Sequence, residues 1–124
     1  MAIYGDAAVA ATRLYPKAPP PDLWDLVMSR LTESPSSQAK HCPRLAYLGL
    51  CEAGLVQGIP KGKYLKNPSL NAQYAVRAVT LLRSQPGLAV GQDKLWRLSC
   101  GCPGKRHNGQ MDVVLGLWNR GLVE

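Results

Sequence analysis

The sequence predicts an all-α fold of about six helices, arranged as two halves of three, and three observations carry that expectation. Apolar residues recur at three- and four-residue spacing along most of the 124-residue chain, which is the period of a helix with one buried face. The segment Leu48–Val56, L-G-L-C-E-A-G-L-V, returns as L-G-L-W-N-R-G-L-V at Leu115–Val123. The same offset of 67 residues also lays Ala8-Val9, Ala11 and Leu14 over Ala75-Val76, Ala78 and Leu81. Trp24 in D-L-W-D-L and Trp96 in K-L-W-R-L correspond at a slightly larger offset, which requires an insertion in the loops between. We therefore expect one domain over residues 1–124, built by internal duplication of pseudo-repeats at about 4–60 and 67–124.

The first helix is predicted from Gly5 to Tyr15, an alanine-rich run that places Ile3, Ala7, Ala10 or Ala11, and Leu14 on one face before Pro16 ends it. Pro19-Pro20-Pro21 makes a stiff connector. Asp22 then caps a second helix burying Leu23, Leu26, Val27 and Leu31, with Trp24 at its edge. Ser34 to His41 is a polar loop with room for one short turn. Pro43 suits the first turn of the third helix, whose apolar stripe is Leu45, Leu48 and Cys51.

Each repeated segment ends a helix on a glycine, Gly54 or Gly121, which can turn left-handed without steric penalty. In such an ending Leu55 packs on Leu50 and Leu122 on Leu117. Gly49 and Gly116 interrupt the same two helices, where glycine costs about 0.5–1 kcal/mol against alanine. Their matched positions predict a close crossing of the two repeated helices.

Gln57 to Asn67 reads as a Gly, Pro and Lys connector, and Asn67-Pro68 offers a cap with proline at the first helical position. The fourth helix runs to about Ser84 with Tyr74, Ala75, Ala78, Leu81 and Leu82 inward, and Pro86-Gly87 stops it. Leu88 and Ala89 add a packing contact ahead of a fifth helix over Gln92–Ser99 that buries Leu95, Trp96 and Leu98. Cys100 to His107 is a loop. The last helix, about Gly109 to Arg120, buries Met111, Val114, Leu115 and Trp118, and Asp112 in its first turn complements the helix dipole. With no Phe in the chain, the three tryptophans are expected to be central anchors.

The net charge is +7, but it is unevenly spread. Residues 1–33 carry three basic and four acidic side chains, whereas residues 34–111 carry eleven basic and two acidic. No carboxylate occurs from Ala53 to Gln92, a stretch that holds Lys61, Lys63, Lys66, Arg77 and Arg83. A basic middle implies a solvated face, an acidic partner or nucleic acid. No window reaches the length of a membrane span and Met1–Leu14 lacks the pattern of a secretory signal, so the expected location is cytoplasmic. Four irregularly spaced cysteines fit a reducing compartment better than a disulfide framework.

Catalytic and metal motifs are weak. Cys100, Cys102 and His107 with His41 or Cys42 lack the paired spacings of structural zinc sites, and no metal or cofactor is expected. Cys51 reads as a small core residue. Cys42 at a helix start beside His41 has the composition of a nucleophile pair, but adjacent side chains rarely face each other. G-I-P-K-G-K at Gly58–Lys63 departs from the phosphate loop in glycine spacing and in the residue after its lysine. The sequence argues against an enzyme.

A less ordinary feature precedes each repeated helix. Lys40-His41 stands before Pro43 and Arg106-His107 before Gly109, with Arg44 and Lys105 close by. Cations crowded at the positive end of a helix are unfavourable unless an anion lies between them and the free N–H groups. Lys40, His41, Arg44, Lys105, Arg106 and His107 are therefore the candidate anion-binding residues, with Lys61 and Lys63 reaching over from the next loop.

C-P-R-L-A-Y-L-G-L-C-E-A-G-L-V-Q-G-I-P at residues 42–60 and Q-M-D-V-V-L-G-L-W at residues 110–118 resemble the hallmark segments of a family of small uncharacterised bacterial proteins. The likeness runs from Tyr4 to Val123. Such proteins are often carried on mobile gene cassettes, so the resemblance implies an accessory role and no particular chemistry. The expected function is a small binding module for an anionic ligand or an acidic protein partner. Two other classes remain open from the residues: a nucleic-acid-binding protein, in which the helix ending in G-L-V and the Lys-Gly-Lys loop resemble a recognition helix and wing, and a self-associating helical protein with no small ligand.

Overall fold

Pro20 and Pro21 open a helix instead of ending a connector, because proline lacks only an N–H that the first turn leaves unpaired anyway. In the computed structural model, which describes residues 3–101 and 106–124, the elements are α1 (Ile3–Leu14), α2 (Pro20–Leu31), the single turn α3 (Pro35–Gln38), α4 (His41–Glu52), α5 (Leu70–Ser84), a 3-10 turn (Pro86–Val90), α6 (Gln92–Cys100) and α7 (Gln110–Asn119). Among the described residues the fold is all-helical, with one isolated bridge between Val56 and Val123 in place of any sheet. Asn67 does not cap α5. Ser69 does, its hydroxyl accepting the Ala72 N–H at 3.3 Å, so Pro68 stays outside the helix.

α4 and α7 are the central pair and run side by side in the same direction. At their starts Gly109 lies against Pro43, where an added Cβ would come within 3.1 Å of the proline ring. At their ends the two G-L-V tails pair antiparallel: the Gln57 N–H donates to the Leu122 carbonyl at 2.8 Å and the Glu124 N–H to the Leu55 carbonyl at 2.9 Å. Both predicted helix endings are present. Gly54 and Gly121 sit at φ 75° and 70°, and the N–H groups of Leu55 and Leu122 reach back to Leu50 and Leu117 at 3.0 and 2.9 Å.

The glycine crossing takes a different form from the expected one. Gly49 faces Ala72 on α5, and Gly116 faces Gly5 on α1, so neither glycine marks the contact between α4 and α7. The reason is the direction of the central pair. Two parallel helices already in register at both ends place their remaining small faces outward, where each meets the first helix of the other half. The contacts are reciprocal: the 67-residue offset turns Gly49–Ala72 into Gly116–Gly5, and turns one G-L-V backbone bond into the other.

The core fills around α4. Trp24 is fully buried and stacks on Tyr47 at 5.4 Å between ring centroids, and is not the edge residue its position on α2 suggests. Trp96 is buried against Tyr74 in an edge-to-face pair at 5.3 Å, while Trp118 is only half-buried. Leu26, Leu31 and Leu98 are exposed, contrary to their predicted stripes. α2 and α6 each turn their tryptophan inward, and a ring of that size takes the contact area that the predicted leucines would have shared. Thr12 donates its hydroxyl to the Ala8 carbonyl at 2.8 Å, so Tyr47 is the donor in its 2.9 Å bond to Thr12. Burial, with Cys51 beside it, drives the Tyr47 hydroxyl well above the ordinary phenol range. The Cys51 thiol, likewise pushed up to about 12 by burial, is an inert core group as its sequence position implies.

Candidate functional site

The chain between α4 and α5 is folded into an arch by its own polar groups. After Gly54 turns the helix end, Val56 enters the bridge, Gly58 at φ 84° redirects the backbone and Ile59 returns to the core. The Glu52 carboxylate then accepts the N–H groups of Leu65 at 3.0 Å and Tyr64 at 2.9 Å from the last turn of α4. Tyr64 closes the arch by donating its hydroxyl to the Pro60 carbonyl at 2.7 Å. Leu65 is consequently held inward, and the lysines around it are left on the outside.

Under the arch lies a groove of about 890 Å³ at the crossing of α4 and α5. Its floor is small and apolar, from Gly49, Ala53, Ala72 and Val76. Its rim is cationic, from Lys61, Lys63, Lys66 and Arg77. Glu52 is the one carboxylate on the lining and is committed to the two backbone amides. Arg77 is anchored through one edge, Nη1 donating to the Ser99 carbonyl at 2.7 Å. Among the described residues Arg44 with Asp25 is the one ion pair, so the four rim cations face a single carboxylate, Glu52, whose charge acts on Lys63 without a direct ion pair.

Those two amide bonds hold the Glu52 carboxyl below the usual carboxylate range, Leu65 first and Tyr64 next, with Lys63 adding to the effect. A depressed folded-state value contributes stability that is full above the ordinary carboxylate range and is lost as pH falls through the depressed value. The Leu65 and Tyr64 amide resonances are expected to move together in an acid titration, with a shared midpoint below the ordinary glutamate range. Independent or absent inflections would mean that Glu52 does not hold the arch.

A second groove, of about 270 Å³, occupies the reciprocal crossing of α1 and α7. Gly116, Asn119, Arg120, Gly5, Asp6 and Val9 line it where Gly49, Glu52, Ala53, Ala72, Gln73 and Val76 line the first. No arch closes over it among the described residues, and its charged lining is Asp6 and Asp112 against Arg120, a slight acidic excess. The scaffold is shared and the basic character belongs to the first groove alone.

The structure divides the residues singled out in the sequence. Lys61 and Lys63 lie at the groove, joined there by Lys66 and Arg77. They do not reach over to Lys40, His41 and Arg44, which sit at the opposite end of α4, because a twelve-residue helix is about 18 Å long. Lys40 places its ammonium over the Tyr4 ring at 5.3 Å, and His41 is exposed. Arg44 is engaged: its guanidinium holds both oxygens of Asp25, at 2.9 and 3.2 Å. Arg106 is exposed and His107 rests beside Trp96 at 6.2 Å, and the two helix starts meet where the Asn108 amide reaches the Cys42 sulfur at 3.6 Å. Lys105 and Cys102 lie outside the described residues. Lys66 and Arg77 were missed as site residues, although both belong to the carboxylate-free stretch from Ala53 to Gln92.

α4, the first of the two helices ending in G-L-V, buries Pro43 and Ala46–Cys51 and packs against α2, α5 and α7, leaving His41 exposed and Cys42, Arg44, Leu45 and Glu52 part-exposed. Among the described residues no three His, Cys, Asp or Glu side chains gather, and no helix is long and apolar enough to cross a membrane.

A family model described as a family of unknown function, DUF6979, matches residues 1–124, and the chain belongs to that family. No curated protein and no solved structure matches it.

Proposed function

We propose that this member of DUF6979 is a binding module for an anionic ligand, and that the ligand occupies the groove between α4 and α5. The observation that carries the reading is a cavity of about 890 Å³ whose rim holds four cations against one carboxylate, Glu52, a single oxygen of which is bonded to backbone. Unpaired cations around a concave, partly apolar space interact more strongly with an anion than the same charges on a flat surface, because solvent screens them less. The accessory bacterial role that the sequence resemblance implies, and the cytoplasmic location expected from the sequence itself, are part of this proposal. So is duplication: the two reciprocal crossings are read as copies of one unit, of which the first gained a ligand site when the inter-repeat linker closed over it.

Thermal melting in increasing phosphate, at constant ionic strength, tests the reading. A ligand of the folded state raises stability by about 2.7 kcal/mol at a hundred times its Kd. Lys66→Ala combined with Arg77→Ala is expected to remove most of the phosphate-dependent rise, while Arg44→Ala, outside the groove, retains it. Because phosphate also stabilises proteins by exclusion from their surface, the difference between variants is the readout. Equal stabilisation of the wild type and the Lys66→Ala, Arg77→Ala variant would sink the proposal.

A further inference from the structure

The cations of the groove are not clustered at one point. Ser69, Ala72, Gln73, Val76 and Arg77 line it from one face of α5, spaced at three and four residues. From Ser69 to Arg77 is eight residues, about 12 Å along the helix. Lys66 stands at the Ser69 end, just before the helix, and Arg77 stands at the other. Between them the α5 wall offers Ala72 and Val76 with the neutral amide of Gln73, facing Gly49 and Ala53. Lys66 and Arg77 therefore flank an α5 wall with a small, largely apolar middle, while Glu52, Lys61 and Lys63 line the same groove from α4 and the arch.

The two ends differ in kind. Lys66 is a mobile point charge on an exposed stem, whereas Arg77 has one edge fixed by the Ser99 carbonyl and the rest of its planar fork left to a ligand. Ser99 is itself buried and donates its hydroxyl to the Leu95 carbonyl at 2.7 Å, so the carbonyl that orients Arg77 belongs to a rigid part of α6. No aromatic side chain lines the groove, so nothing in it would stack on a nucleobase.

We infer that the ligand is an elongated small molecule with an anionic group at each end and a non-aromatic spacer between them, one end held by the Arg77 fork and the other by Lys66. This rests on the anion-binding reading of the same groove and adds the ligand's length and its two-ended charge. Inorganic phosphate satisfies one end only. A short bisphosphate has the charge without the reach, and a longer one has both.

Calorimetric titration of the full chain with phosphate, ethanediol bisphosphate and hexanediol bisphosphate at one ionic strength separates these cases. The expected result is binding of all three, with hexanediol bisphosphate about tenfold tighter than the shorter bisphosphate, the gain from one further charge-assisted contact. Arg77→Ala is expected to erase that difference while leaving phosphate bound, and Lys66→Ala to erase it from the other end without touching a residue of α6. Equal affinities for the two bisphosphates would overturn the two-ended ligand and leave a single-anion site. A length preference that survives both substitutions would also overturn it, by placing the anchors elsewhere. Failure of every probe to bind would remove the underlying reading as well.

Discussion

Alanine at Gly49 is expected to lower the melting temperature by roughly 6–12 °C, the equivalent of about 2–3 kcal/mol in a domain of this size. An added Cβ would stand 2.3 Å from the Ala72 Cβ and 2.6 Å from its Cα, so the obstacle is a neighbouring helix backbone that no side-chain rotation relieves. Helix propensity acts the other way. Alanine is favoured over glycine by about 1 kcal/mol in a helix interior, and the overpacking must exceed that for the sign to be destabilising. Gly116→Ala meets the Gly5 Cα at 2.6 Å and its carbonyl oxygen at 2.9 Å and is expected to behave alike. Gly87→Ala is the control, since a Cβ there meets nothing within 4 Å. Calorimetric melting of the three variants decides the matter: a Gly49→Ala protein as stable as wild type would mean that the α4–α5 crossing is not the constraint described.

Trp24→Ala is expected to have the larger effect, about 3–5 kcal/mol, because it deletes a fully buried indole together with its stacking on Tyr47. Domains of this size are stable by only about 5–15 kcal/mol, so the variant should be unfolded in part at modest urea concentrations. Trp24→Phe separates two contributions to that number. The indole Nε1 is buried with no hydrogen-bond partner among the described residues, and phenylalanine keeps an aromatic ring on Tyr47 while removing that unpaired donor. Urea denaturation should therefore show the Phe variant closer to wild type than to the Ala variant, with the slope m unchanged. A Phe variant as unstable as the Ala variant would mean that indole shape, not the aromatic contact with Tyr47, fixes the core at this point.

The groove was half legible before the fold was known. The absence of carboxylates from Ala53 to Gln92 marked a stretch whose cations would go unneutralised locally, and Lys61, Lys63, Lys66 and Arg77 all lie in it. Their assembly around one groove was not legible, because it depends on Glu52 reaching thirteen residues ahead to the Leu65 amide and on α5 crossing α4 at Gly49. Arg44 shows the opposite error. Its position beside Lys40 and His41 suggested a free fork for an anion, yet Asp25, nineteen residues earlier, takes it. Whether a surface cation is available depends on partners distant in sequence.

What the sequence by itself determined was local: helices from apolar spacing, their endings from Gly54 and Gly121, and an all-α fold from their sum. Such features are set within about one helical turn, where periodicity and glycine conformation act directly. Only the tertiary structure decided which small faces meet. The L-G-L repeat correctly signalled a close approach at Gly49 and Gly116, but the parallel run of α4 and α7 gave those faces to Ala72 and Gly5 of the opposite halves. A glycine's sequence position records that a backbone must come near, while the identity of that backbone depends on how the helices close around a common core. The linker, arched over one of two matched crossings, then made that crossing the basic one.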